Sequence, residues 1–475
     1  MSKSIVRKFV DFAMGNGIAL ILGFLSTPII SRLISPDEMG KFSNFNTITS
    51  LLCLVLLFGL DQAFVRYYYE EKEESRKRLL FECIKIPIII CVVVGVFILL
   101  AYKPISTYII GDDSFNIAFI LVIHTFFSIL NTFSLLVIRM KQRGKLYSMM
   151  QIVIKATYII FLLSLYKVYG DDNITVILAY VLANILVVIL GITIERKEWR
   201  LWDNEYDISN SKRSLIKYGL PLVFSASIVW IFQSIDRIFL NIYCNKAEVG
   251  LYSMAFTIIA LLNAVQGAFT TFWVPIANEN YNKNPENTEF FSKINKYITV
   301  IMSFLGIGLI AGKDIIVFLL GAEYRQAVFI IPFLVFMPIM YTISEVTVVG
   351  ISFKKETKYH IVIAVVSAIV NVIGNYILVP RLGAIGAALS TGVSYIVFYM
   401  IRTFISYKLY KVNYNIKKFL VLIVAMLVLA IYSTLNTLNL GIIIITLINL
   451  GILYLLYKST IDEIISNVIA FINKK

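Results

Sequence analysis

Apolar residues in this chain run in long unbroken blocks, without the strict alternation of a half-buried strand or the single stripe of a surface helix. Windows of about 20 residues, the length that crosses a hydrocarbon layer as a helix, recur along the chain. They lie near 12–34, 43–65, 80–101, 115–138, 149–168, 174–194, 218–241, 251–275, 297–320, 327–351, 360–380, 385–407, 417–436 and 440–457. The pattern predicts an all-α polytopic membrane protein of about fourteen transmembrane helices, because lipid leaves backbone polar groups no partner outside the helix. The first block follows Lys3, Arg7 and Lys8, and no small-residue cleavage motif comes after it. A retained helix is therefore expected there instead of a removed leader.

The polar breaks between blocks carry a repeat. "PDEMGKFS" at 36–43 and "KAEVGLYS" at 246–253 both read Glu-x-Gly-x-aromatic-Ser, 210 residues apart. "KQRGKLYSMMQIVIKATYIIFLLSLYKVYG" at 141–170 and "KKETKYHIVIAVVSAIVNVIGNYILVPRLG" at 354–383 match at an offset of 213, each running from a basic turn to a glycine. Two matches at nearly one offset indicate duplication of a six-helix unit. An even number of helices per unit makes the repeat parallel, about an axis along the membrane normal. The expected architecture is two six-helix bundles around a central cavity, 1–200 and 201–411, with two further helices in 412–475. In each copy the Glu-x-Gly stretch is expected to be the corner between the first two helices. Gly40 and Gly250 would permit the tight turn, and Ser43 and Ser253 would cap the next helix.

Charge orients the spans. With the N-terminus inside, 33 of the 43 Lys and Arg fall on the inner side and 9 on the outer, with Lys155 left inside a helix. This asymmetry places both termini in the cytoplasm. The longest connection, "ERKEWRLWDNEYDISNSKRSLIK" at 195–217, is cytoplasmic and is the best lobe boundary; Trp199 and Trp202 suit the membrane interface.

Composition agrees. The chain is 59% hydrophobic and 15% charged over 475 residues, with a mean hydropathy of +0.82. A soluble protein of this size could not bury so much apolar surface. The net charge of +14 reflects cytoplasmic loops and not nucleic-acid binding. Four scattered cysteines and two distant histidines offer no disulfide framework, metal site or cofactor site. "GIGLIAGK" at 306–313 has five residues between its glycines and an Asp after its Lys, so it fails as a phosphate loop.

Charges inside spans are costly and usually line a cavity or pair. Arg32, Arg66, Lys155 and Arg237 are the cationic cavity candidates, suited to an anionic head group. Arg32 and Arg66 could instead snorkel to the interface. Asp61, Asp236, Glu345 and His124 are candidates for ion coupling or ion pairing. A packing role competes for Asp236 and His124, and Glu345 could pair with a basic residue of its own lobe.

"RLISPDEMGKFS", "GLDQAFVRYYY", "YGLPLVFSASIVWIFQSIDRIFL", "AEVGLYSMA" and "NVIGNYILVPRLGAIGAALSTGVSY" together resemble the bacterial Wzx-type polysaccharide flippases of the multidrug/oligosaccharidyl-lipid/polysaccharide exporter superfamily. The resemblance covers most of 5–410. It implies two bundles that rock around a central cavity in the bacterial plasma membrane. It also implies export of an undecaprenyl-diphosphate-linked oligosaccharide for O-antigen, capsule or exopolysaccharide. A polysaccharide polymerase and a chain-length regulator would be partners, and H+ or Na+ a coupling ion. Fourteen helices leave room for a relative that moves peptidoglycan or teichoic precursors. The alternatives are a cation-coupled drug exporter, disfavoured because helix 1 carries only Asp11 at its edge, and an integral-membrane polymerase, disfavoured because no outer loop is long enough to hold catalytic groups.

Overall fold

The computed structural model describes residues 22–200, 208, 211–356 and 358–472. Expectations that rest on Lys3, Arg7, Lys8, Asp11 and Trp202 lie outside the described residues. The chain divides into two compact units. One contains the described residues up to Arg237 together with Asn245–Gly250, and the other contains Ile238–Cys244 and the residues from Leu251 onward.

In the first unit, α1 (Leu22–Leu33) precedes α2 (Pro36–Leu56) and the short α3 (Leu60–Tyr67), which bends 54° from α2. α4 (Arg76–Leu100), α5 (Tyr102–Ile110), α6 (Phe115–Met140), α7 (Gly144–Tyr169) and α8 (Asn173–Ile194) follow. α9 (Lys212–Tyr243) bends 43° between Ile228 and Trp230. Leu60, Phe64, Leu79, Cys83, Phe133 and Leu215 form one buried cluster, and Phe45, Leu121 and Ile177 belong to another. Lipid is as apolar as these side chains, so close packing holds the helices together more than the hydrophobic effect does.

The second unit contains most of α10 (Lys246–Lys283), then α11 (Thr288–Ala311), α12 (Lys313–Phe318), α13 (Ile331–Leu334), α14 (Phe336–Thr347) and α15 (Val349–Phe353). α16 (Lys358–Leu409), α17 (Ile416–Leu435) and α18 (Leu440–Ile472) complete it. The 52 residues of α16 are not one rod: Gly383 stands at φ 56°, ψ −134°. The chain folds back there, so that Asn371 Nδ2 donates to Thr391 Oγ1 at 3.2 Å across two antiparallel arms. Lys313, fully buried, donates to the Asn436 carbonyl at 2.9 Å and pairs with Asp314, fastening the end of α17 to α12.

Among the described residues nine helices are long and apolar enough to span a membrane, or up to twelve if each bent pair is one span. The fold is all-helical and multi-pass.

The 213-residue offset reappears in the backbone of each unit. Gln142 (φ 56°) and Lys355 (φ 58°) are both left-handed. Each closes a helix with the same pair of bonds: Gln142 N–H to Arg139 O and Arg143 N–H to Ile138 O, then Lys355 N–H to Ser352 O and Glu356 N–H to Ile351 O. This is the Schellman ending, rarely built on a residue with a side chain. Gly170 (φ 69°, ψ −147°) and Gly383 share a conformation open in practice only to glycine.

The Glu-x-Gly stretches differ from expectation. Neither is a corner. α2 already begins at Pro36 and α10 at Lys246, so Gly40, Ser43, Gly250 and Ser253 are helical and the two serines cap nothing. The residue before α2 is Ser35, whose N–H donates to Asp171 Oδ1 at 2.9 Å. The glycines serve close approach, not a turn: a Cβ on Gly40 would lie 1.8 Å from the Lys246 oxygen, and one on Gly250 1.8 Å from the Pro36 oxygen.

Beside the α6–α7 corner, Lys141 bonds Glu195 at 2.8 Å and Glu198 at 3.0 Å, and Arg143 bonds Glu195 at 2.6 Å. Burial alone would lower the Lys141 pKa. The hydrogen bonds and charges of Glu195 and Glu198 outweigh it and hold the ammonium above its ordinary value.

Candidate functional site

The α2–α3 bend builds a pocket. Phe58 (φ 54°) and Gly59 (φ 69°) both leave the helical region, and the chain re-enters helix at Leu60. A left-handed Phe is strained and persists only where its surroundings fix it. Against this bend lies α9, whose Pro221 cannot donate a helical hydrogen bond. Between them is a cavity of about 350 Å³ lined by Leu54, Leu57, Gly59, Asp61, Gln62, Leu222, Val223 and Ala226. Asp61 falls in the first turn of α3, where the helix dipole favours negative charge. Gln62 Nε2 donates to Asp61 Oδ2 at 2.6 Å. The pocket therefore presents a carboxylate and a carboxamide on otherwise apolar walls. That combination suits hydroxyl or amino groups and C–H faces better than a phosphate.

Of the eight candidate charges, Asp61 lines this pocket. Arg66, farther along α3, is exposed, pairs with Glu70 and lies 5.7 Å from the Tyr67 ring. Arg32 is exposed at the end of α1. Lys155, in the middle of α7, is also exposed. Arg237 is half-buried on α9, its Nη1 reaching the Gln233 carbonyl at 3.5 Å, and Asp236 beside it is buried.

His124 is buried in α6, 3.4 Å from Ser128 Oγ and 3.5 Å from Asn184 Nδ2, between the rings of Phe45 and Tyr180. It is built into the α6–α8 packing. Glu345 of α14 is buried and bonds Arg402 of α16 at 2.8 Å. Arg402 also donates to Ser344 Oγ at 2.7 Å and lies 5.2 and 5.4 Å from the rings of Phe398 and Tyr341. Arg402 falls inside the predicted span 385–407 and is not among the candidate charges, yet its side chain is buried as deeply as its partner's. The signal that could have found it was Glu345 itself, a deep carboxylate that requires a cation. Gln62 was missed as well, because one amide at a helix start carries no sequence signal.

The profile of the family described as "Polysaccharide biosynthesis protein" matches residues 5–281, more than half of the chain. The chain belongs to that family. A "Probable low-salt glycan biosynthesis flippase Agl15" of Haloferax volcanii is 23% identical over 407 residues, covering 84% of this chain and 81% of that protein. An "Uncharacterized membrane protein" of Haemophilus influenzae is 22% identical over 405 residues, covering 83% and 92%. Among solved structures, "Lipid II flippase MurJ, inward closed conformation" superposes with a TM-score of 0.71 at 18% identity, over 96% of this chain and 99% of that one. An inward-facing multidrug resistance MATE family transporter gives a TM-score of 0.58 at 15% identity, over 82% and 94%. At these identities the structures speak for the fold alone.

Proposed function

We propose that this chain flips a polyprenyl-diphosphate-linked oligosaccharide, undecaprenyl being the carrier, from the cytoplasmic to the outer leaflet of a bacterial plasma membrane by alternating access. The family match over 5–281 carries the proposal, and the pocket at the α2–α3 bend supports it. A sugar needs hydrogen-bonding groups beside apolar surface, and Asp61 with Gln62 on a Leu and Val wall supplies both. The diphosphate needs cations, for which Arg32, Arg66, Lys155 and Arg237 remain the candidates. Asp236 and Glu345 remain the candidates for coupling to H+ or Na+. In this architecture the Gly383 hairpin is two spans and α1 belongs to another. The chain then has fourteen helices: six-helix lobes at 1–200 and 201–411, an addition at 412–475, and both termini in the cytoplasm. A polymerase and a chain-length regulator would use the product.

Deleting the gene should make one lipid-linked saccharide build up on the cytoplasmic face while surface polysaccharide falls, as read by mass spectrometry of extracted lipids. Unchanged lipid-linked saccharides would refute the proposal. One observation favours a second reading: the charge in the pocket is a carboxylate, which also suits an organic cation. In that case overexpression should raise resistance to cationic drugs, and Asp61→Asn should abolish the resistance.

A further inference from the structure

α2 is held near its start and just past its end by contacts between glycines. At one end Gly40 and Gly250 meet reciprocally. A Cβ on Gly40 would lie 1.8 Å from the Lys246 oxygen and 3.1 Å from the Gly250 nitrogen; one on Gly250 would lie 1.8 Å from the Pro36 oxygen and 3.0 Å from the Gly40 nitrogen. Pro36 and Gly40 are one helical turn apart, as are Lys246 and Gly250, so the contact relates positions offset by 210 residues through a local twofold. Lys246 Nζ reaches the Tyr108 carbonyl of α5 at 2.6 Å beside it. At the other end a Cβ on Gly59 would lie 2.2 Å from the Gly219 oxygen, and one on Gly219 would lie 2.7 Å from the Gly59 carbonyl. The Tyr67 and Tyr218 rings meet edge to face at 5.8 Å there, and Lys212 of α9 pairs with Glu82 of α4 at 3.0 Å.

Nineteen residues separate Gly40 from Gly59, roughly 28 Å of helix, which is the thickness of the hydrocarbon layer. α2 is thus pinned by backbone on backbone near its start and just past its end, with the pocket next to the Gly59 contact. Backbone contacts of this kind bring helices as close as they can come; beside Gly219, Leu215 of α9 also packs into the buried cluster of Leu60 and Leu79, so opening at that end separates side chains as well.

We infer that these two glycine contacts are the seals of the transport path, that the structure is closed at both, and that they open one at a time. The inference rests on the transport reading above for its purpose, but its test needs no cargo. The full chain in membranes would have its four native cysteines changed to alanine and one reporter, Leu57→Cys, placed in the pocket wall. A membrane-impermeant maleimide would be applied to right-side-out and to inverted vesicles. Gly40→Ala and Gly250→Ala should each speed labelling about tenfold from the Gly40 side and leave the other side unchanged, because the added methyl shifts the population toward the opened end. Gly219→Ala should do the reverse. Equal labelling of all the chains, or opening toward one side by all three variants, overturns the inference.

Where an alanine prevents insertion, milder changes serve. Lys246→Ala removes the bond to Tyr108, and Tyr218→Ala removes the ring contact with Tyr67. These two should move labelling in the same opposite directions by a smaller factor, and movement in one direction by both overturns the inference too. Opposite-sided labelling in a chain that moves no glycan carrier would keep the seals and discard the cargo.

Discussion

Glu345 and Arg402 show what a single charge demands inside a membrane. Each is nearly inaccessible, and each is held by the other at 2.8 Å. Removing one leaves an uncompensated buried charge, whereas removing both leaves only polar holes. Arg402→Ala should therefore destabilise the protein by about 3–5 kcal/mol, and Arg402→Met with Glu345→Gln by much less; thermal unfolding in detergent would compare them. His124 makes the opposite case. Its ring is wedged between Phe45 and Tyr180 and bonded to the α8 side. His124→Asn should weaken packing by about 1 kcal/mol and leave the pH profile of transport unmoved, whereas a shifted profile would return His124 to the coupling groups. The residue scale was half legible in the sequence. Glu345 announced a missing partner, because a deep carboxylate cannot stay alone. It could not say which cation, because a hairpin at Gly383 decides what Arg402 meets. The cationic candidates were chosen by chemistry, and chemistry alone does not aim a side chain.

Elements were more legible than their ends. Long apolar blocks set where the helices run, and the basic turns at 141 and 354 emerged as twin Schellman endings. The starts of α2 and α10 were misjudged, since Pro, Asp, Glu and Gly read equally well as a corner or as the first turns of a helix. Only the neighbouring backbone shows that the glycines make room. The α6–α7 corner has its own chemistry. Lys141 has its pKa raised above the ordinary 10.5 by two glutamates, against the pull of burial. Its contribution to stability is accordingly complete below that ordinary value and is lost as pH climbs through the raised one. Lys141→Met should lower the melting temperature at pH 8, and the difference should shrink as pH climbs through the raised value, with melting curves taken across that range as the check.

For the whole molecule, the class of protein followed from hydrophobicity, and the family from segments spread along the chain. The α2–α3 pocket did not. It depends on Phe58 and Gly59 turning left-handed together and on α9 bending beside them, and neither event is marked by a motif. Function belongs to this scale as well. Under the proposed function, Gln62→Ala should lower surface polysaccharide several-fold while leaving the amount of inserted protein alone, which immunoblotting and surface-glycan staining would compare.

Lys313 gives the last two helices a meaning beyond decoration. Its ammonium is entombed, and the Asn436 carbonyl at the far end of α17 is one of the groups that keep it there. A chain cut short at residue 411 would remove that carbonyl and leave the cation with Asp314 and the Phe329 ring. Such a truncation should lower the stability of the unit that carries Lys313, and Lys313→Met should recover part of the loss.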